Sequence, residues 1–378
     1  MSVTLGELNF QISRIAPPGV AEAWDNVGLQ IGDPEAAIRK ALVVLEVSPA
    51  TLEECIELGA TAMIAHHPLI FSPLKSIRED NHVAQMTARL IRAGIGLIVA
   101  HTNLDKSTAG PNYALADALQ IKIEKWLRPD RHQEYVKVVV FTPEGYEYKV
   151  IDAIAAGGGG TIGNYSHCAF RAWGVGSFKP LEGADPFIGE IGKMEETKEA
   201  RLETLVPRSA LANVLREIRL VHPYEEPALD VMPVEIATSS SGLGIVGELN
   251  GARKLGKWKE EIDAAIRPLL PQAAQAHWPG CAITGELDRP VQRVAVCSGS
   301  GGSLIGDAAE SGVDVLLTGE INHHAAIEAR ALGVNVICLG HFASEVSAMP
   351  FFVNVLRQKE SGVELIRAEN ETDPLMSV

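Results

Sequence analysis

No apolar stretch of the chain approaches the roughly 20 residues that a membrane-spanning helix needs, so no membrane partner is expected. Dense basic runs are missing too. With 33 Lys+Arg against 48 Asp+Glu the formal net charge is -15, which argues against a nucleic-acid partner held through its phosphates and favours solubility. The N-terminus lacks the basic-then-apolar pattern of a signal peptide, and a cytoplasmic location is the expectation. Cysteine is scarce: Cys55, Cys168, Cys281, Cys297 and Cys338 form no C-x-x-C pair, which predicts reduced and mostly buried fillers. What remains is a chain of 378 residues, 46% hydrophobic and 21% charged, long enough for two domains and a sizeable core.

The informative residues are histidines. His66-His67 is followed by His101 and Asp105, and His323-His324 by His341 and Glu345, so a His-His pair and a His-x-x-x-acid step occur twice. Imidazoles and carboxylates are the usual ligands of borderline divalent ions, three or four to an ion, and eight such residues suffice for two metals. A single histidine is more often a hydrogen-bonded core or capping residue. Here six of the 11 histidines cluster at the ends of apolar runs or just beyond, which reverses that expectation. The runs are 62–65 before His66, 97–100 before His101, 315–318 before Glu320 and 336–339 before His341. Open α/β sheets bind ligands outside the carboxyl ends of their strands, so four such runs could aim their terminal residues into one crevice.

Adjacent residues on an extended backbone point to opposite sides, so His66 and His67 can serve two ions, or one ion and a neighbouring ligand. The i,i+4 spacing puts His101 with Asp105, and His341 with Glu345, on one helical face each. His101 and Glu320 are the candidates for moving protons. For His323 and His324, substrate contact and ordinary helix N-terminal surface stand level. So do the two readings of the glycine-rich stretch 298–303, as an anion cradle or a tight βα turn; it lacks the Gly-Lys-Ser/Thr of a Walker A loop. Asp25 and Asn26 can orient a water or substrate, or simply cap and turn the chain. His82, His132, His167, His222 and His277 are left outside the metal site.

Strand-like and helix-like stretches alternate over 42–100 and again over 293–341, a βαβ rhythm written twice. This predicts an α/β fold of two related lobes, 1–129 and 237–378, forming one core. The stretch 130–236 differs, with a strand at 135–142, a turn at Gly157-Gly158-Gly159-Gly160, a helix over 207–218 and a Pro-rich exit; it reads as a small inserted α+β domain.

The motifs His66-His67-Pro68-Leu69-Ile70-Phe71, His101-Thr102-Asn103-Leu104-Asp105, Gly319-Glu320-Ile321-Asn322-His323-His324 and Gly340-His341-Phe342-Ala343-Ser344-Glu345, with Trp24-Asp25-Asn26-Val27-Gly28-Leu29, resemble the Nif-three-like family. Its members are also known as dinuclear metal-centre proteins or GTP cyclohydrolase I type 2 homologues. The resemblance implies His66, His67, Asp105, His341 and Glu345 as metal ligands, with Glu345 between two divalent ions and His101 beside them. It implies a toroidal homohexamer and an insert similar to the ferredoxin-like modules of PII and CutA proteins, carried by Gly163-Asn164-Tyr165-Ser166-His167-Cys168 and His222-Pro223-Tyr224-Glu225-Glu226-Pro227. The ligand set suits Zn, Fe, Mn, Co or Ni. The expected function is a metal-dependent hydrolase acting on a phosphate-containing or nucleotide-like small molecule. The alternative is a metal-binding regulatory or storage protein with a ligand-sensing insert.

Overall fold

Two sheets hold the strands that the histidine motifs follow. The computed structural model describes residues 3–130, 135–162, 165–234, 241–359 and 362–375; His132, Gly163, Asn164 and the expected boundary at 236 lie outside the described residues. The chain divides into two units, Met1–Asp130 with Ser240–Val378, and Arg131–Ser239.

In the first unit one sheet runs Glu364–Arg367, Lys40–Val44, Ala62–Ala65, Gly96–Val99, Gly28–Ile31, parallel except for the last strand. Its inner strands are short, continuous apolar runs because both faces are covered. Val43, Ile64 and Ile98 pack with Leu5, Leu8, Ile12 and Phe352, while their neighbours Leu42, Met63 and Leu97 pack on the other side with Leu52, Met86 and Leu90. The second sheet runs Ala282–Thr284, Asn335–Cys338, Val315–Glu320, Pro290–Ser300, Gly242–Lys254, Lys122–Pro129, with the three strands from 290 to 338 parallel. It too is covered twice. Val294, Val296 and Leu317 meet Trp258 and Ile262, and Ala295, Leu316 and Val336 meet Ile305 and Ala329. Parallel strands in two sheets turn their carboxyl ends to one place, where the histidines lie.

The second unit is built in the order strand, helix, strand, strand, helix, strand: Tyr135–Pro143, Glu147–Ala156, Phe170–Phe178, Glu195–Pro207, Leu211–Val221 and Leu229–Val234. Its antiparallel sheet has the order 229–234, 135–143, 195–207, 170–178, with the helices covering one face through Val138, Val140, Leu202, Val150, Ile154 and Val214. The helix expected over 207–218 is displaced: Pro207 ends a strand, opposite Tyr135, and the α-helix begins at Leu211. Of the cysteines, Cys55 and Cys297 are buried and the other three half-buried, all with free thiols. Among the described residues no helix is long and apolar enough to cross a membrane.

Near the C-terminus Glu371 is 4% exposed, and its Oε1 accepts from the backbone N–H groups of Leu45 at 2.7 Å and Glu46 at 3.0 Å. Oε2 is buried without a partner, and burial pushes the carboxyl up to about 7. The folded chain therefore keeps a proton that the unfolded chain has already released, and stability falls as pH rises from about 4.5 to about 7. The window is worth up to about 3 kcal/mol. Glu371→Gln keeps the two acceptor contacts and removes the titration, so the drop in unfolding free energy between pH 5 and pH 8 shrinks by that amount in denaturant titrations. An unchanged drop would locate the pH dependence elsewhere.

Candidate metal centre

Each histidine of the cluster sits where a parallel strand gives way to a turn or helix. His66 follows Ala62–Ala65, His101 follows Gly96–Val99, and His341 opens the helix His341–Val346 after Asn335–Cys338. The backbone continues each strand for a step, with His66 N donating to Val44 O and His67 N to Leu45 O, so the rings inherit the order of the sheet.

All four rings are fixed through the same atom. Nδ1 faces Ala100 O at 2.8 Å in His66, Glu46 Oε1 at 3.1 Å in His67, Asp25 Oδ1 at 2.9 Å in His101 and Glu320 Oε1 at 3.1 Å in His341. An Nδ1–H donated to an oxygen behind the ring leaves Nε2 as a free ligand in front, which is how metal-binding histidines are oriented. His67 Nε2 lies 2.9 Å and His341 Nε2 3.3 Å from Glu345 Oε2, and His66 Nε2 lies 3.5 Å from Asp105 Oδ1. The His101 ring is 5.3 Å from that of His66 and 5.5 Å from that of His67.

Buried polar groups normally find hydrogen-bond partners. His66 Nε2, Asp105 Oδ1 and Glu345 Oε2 are buried and make no hydrogen bond of ordinary geometry, although His66 Nε2 lies beside Asp105 Oδ1 and Glu345 Oε2 beside the Nε2 atoms of His67 and His341. His66, His67 and Glu345 offer ligand atoms all within 4.8 Å of one another, so this group can hold a metal ion. The donor set, nitrogen and carboxylate oxygen, fits a divalent transition ion.

The electrostatics of the cluster are those of a cation site. Burial pushes His66 down to about 3, keeping its imidazole neutral. In His67 burial is outweighed by the carboxylates of Glu345 and Glu46, which hold it up at about 10. Hydrogen bonding to Glu345 takes His341, against burial, up to about 9. Asp105 is raised well above the usual carboxylate range by burial and by the Glu345 charge, whereas Glu345 is held below it, against burial, by His341 and His67. Without a metal, protons on His67 and His341 neutralise Glu345. A divalent ion would displace them.

Of the supporting residues Glu46 carries no motif, whereas Asp25 and Asn26 stand in the stretch 24–29. Glu46 lies two residues beyond the strand Lys40–Val44, the same placement rule as the histidines. Asp25 turns out to be bound on both oxygens, with Oδ1 at His101 and Oδ2 accepting from Thr102 N at 3.0 Å and Thr102 Oγ1 at 2.5 Å. His101 and Thr102 hold its pKa below the usual range against burial. Asn26 instead ties the loop, its Nδ2 donating to Ile70 O at 2.5 Å.

The glycine-rich stretch runs beside the cluster. Ser298 N donates to Asn112 Oδ1 at 2.8 Å and Gly299 N to Ser344 Oγ at 2.9 Å, so these N–H groups are spent within the protein. Gly299 has φ +61, and a Cβ there would overlap Glu345 Oε1 and come within 3.5 Å of His341 Nε2. A cavity of about 480 Å³ opens alongside, lined by Trp278, Glu320, Asn322, His323, Gly340 and His341. His324 is exposed at the helix N-terminus, outside that lining.

Comparison with known proteins finds relatives along nearly the whole chain. A family model described as Duf34/NIF3 (NGG1p interacting factor 3) matches residues 3–374. A Bacillus subtilis protein named GTP cyclohydrolase 1 type 2 homolog is 36% identical over 368 residues, 96% of this chain and 95% of its own length. A Mycobacterium tuberculosis protein of the same name is 34% identical over 347 residues, 91% of this chain and 89% of its own. Among solved structures, a Bacillus cereus protein related to NIF3 is 34% identical with a TM-score of 0.71, covering 99% of both chains. A Staphylococcus aureus protein is 25% identical with a TM-score of 0.79, covering 100% of this chain and 99% of its own. The mixed α/β architecture in several sheets matches these neighbours.

Proposed function

The chain belongs to the DUF34/NIF3 family, and from that premise we propose a metal-dependent hydrolase with a dinuclear centre, acting on a phosphate-containing or nucleotide-like small molecule. The observation that carries the reading is the set of four imidazoles, each held by an oxygen behind Nδ1 and grouped around two buried carboxylate oxygens that lack any other partner. In this reading His66, His67, Asp105, His341 and Glu345 would hold two ions, drawn from Zn, Fe, Mn, Co or Ni. When bound, such a pair would supply a Lewis acid for a phosphoryl or carbonyl oxygen and would lower the pKa of water towards neutrality.

The remaining work falls to the protein. Asp25 holds Nδ1 of His101 and so leaves Nε2 as the position from which a proton is taken or given. Glu320 Oε1 holds Nδ1 of His341 from behind the ring in the same way, which leaves that Nε2 free as a ligand. The cavity beside His341 receives the body of the substrate, and His323 at its wall adds a polar contact. The relatives' name, GTP cyclohydrolase 1 type 2 homolog, supports a nucleotide-like substrate without assigning its reaction. The inserted unit reads as ferredoxin-like, on the strength of its strand-helix-strand-strand-helix-strand order.

The test is turnover by metal-loaded protein on a panel of phosphomonoesters, phosphodiesters and nucleotides. His101→Gln is expected to keep its metal and to lower kcat by roughly 10²- to 10⁴-fold, the usual worth of a positioned acid or base. No turnover across the panel, with metal exchanging freely, would replace the hydrolase by a metal-binding regulatory protein.

A further inference from the structure

The inserted unit has two faces and only one is covered by helices. On each strand of its sheet alternate residues point to opposite sides. Val138, Val140, Ala200 and Leu202 face the helices, so Phe141, Glu199 and Phe178 face the other way. A cavity of about 470 Å³ lies there, within the size range of small-molecule sites, walled by Phe141, Phe178, Phe187, Glu199 and Tyr224.

The walls are fixed. Both nitrogens of His222 are used, Nε2 donating to Phe141 O at 3.0 Å and Nδ1 accepting from Tyr224 N at 3.1 Å, so this histidine shapes the loop and holds no ligand. The segment after Phe178 closes on itself through Gly192 N to Pro180 O at 2.8 Å and is clasped by Asp185 N donating to Glu225 Oε2 at 3.0 Å. Phe187 packs edge-on against Tyr146 at 5.8 Å, and Tyr224 sits 6.0 Å from Phe178 and 6.3 Å from Phe187.

Inside this aromatic enclosure Glu199 is 8% exposed and accepts one hydrogen bond, from Tyr224 Oη at 2.9 Å on Oε1. A carboxylate offers about four acceptor positions. Among the described residues no Lys, Arg or His lies within salt-bridge distance of it. A Cβ at position 176 would overlap its Oε2, so glycine there is what leaves room for the group. A buried carboxylate without a cation is costly, and the missing charge has space to enter. The rest of the lining is acidic as well, Glu225 and Glu226 against the single exposed Lys179.

We propose that this cavity is a binding site for a small organic cation with a flat apolar body, a protonated aromatic or heterocyclic amine, with Glu199 as its counter-ion and Phe178, Phe187 and Tyr224 as its walls. Aromatic faces attract cations as well as apolar surface, so both parts of such a ligand are matched. The site lies wholly within the inserted unit and does not rest on the metal-centre reading.

The test is calorimetric titration of the full chain with tryptamine, the neutral indole-3-ethanol and the anionic indole-3-acetate. Tryptamine is expected to bind saturably at about 1 mM or tighter, the range of a small fragment, and indole-3-acetate at least tenfold more weakly. Glu199→Gln removes the preference for the cation, and Phe187→Ala, at a half-exposed position that folding tolerates, weakens tryptamine at least tenfold. Glu345→Ala binds tryptamine as the parent does, which separates this site from the metal centre. Equal binding of the three probes, unchanged tryptamine binding in Glu199→Gln or Phe187→Ala, or no saturable binding up to about 10 mM would each overturn the proposal.

Discussion

Glu345→Ala is expected to purify with at least tenfold less transition metal than the parent protein, for which elemental mass spectrometry is expected to find about two ions per chain. Replacing residues that merely stand behind a metal ligand typically costs 10- to 100-fold in affinity, and Glu345 is closer than that. Its Oε2 lies 2.9 Å from His67 Nε2 and 3.3 Å from His341 Nε2, and the residue is 4% exposed. The carboxylate is also the charge that holds His67 and His341 above the usual histidine range. Without it both rings fall back towards neutrality and the cluster loses the anion that draws a cation in. Glu345→Gln keeps the size and loses the charge, so it should retain more metal than alanine and less than the parent. Circular dichroism of the variants separates metal loss from unfolding. Equal metal in parent and Glu345→Ala would remove Glu345 from the centre and the dinuclear reading with it.

How far the sequence discloses this site depends on how each residue is held. His66, His101 and His341 are legible because each closes a buried parallel strand, whose unbroken apolar run makes the following polar residue conspicuous. Asp105 and Glu345 are legible through the four-residue step from His101 and His341, which the short helices Thr102–Asp105 and His341–Val346 realise. Glu46 is not, and Asp25, although it stands in the Trp24-Asp25-Asn26 motif, stays open in the sequence between orienting a ligand and capping the chain. They reach His67 and His101 across 21 and 76 residues of chain, and a lone acid beyond a strand or in a turn has many ordinary uses. The glycine-rich stretch stayed open between two roles because its meaning lies in what its neighbours occupy: Asn112 and Ser344 take the N–H groups of Ser298 and Gly299. In the inserted unit Pro207 reads as the first residue of a helix, where proline is favoured, but pairing with Tyr135 across the sheet overrides the local preference.

Gly299→Ala should lose both stability and metal, whereas Gly312→Ala should lose stability alone. Both glycines hold left-handed backbone, φ +61 and φ +64, and a non-glycine residue there costs about 1–2 kcal/mol. They differ in what a methyl group would meet. At Gly312 nothing lies within 4 Å, so strain is the whole effect. At Gly299 the Cβ would overlap Glu345 Oε1, and the residue cannot retreat, because its N–H donates to Ser344 Oγ at 2.9 Å and its carbonyl accepts from Thr318 Oγ1 at 3.3 Å. The carboxylate must therefore move, away from the position it holds between His67 and His341. Thermal unfolding is expected to fall by a similar amount in the two variants, while metal content falls severalfold in Gly299→Ala and stays at the parent's level in Gly312→Ala. Full metal in Gly299→Ala would mean that Glu345 has freedom to turn in its pocket, and that the backbone at 299 shapes the chain without setting the geometry of the centre.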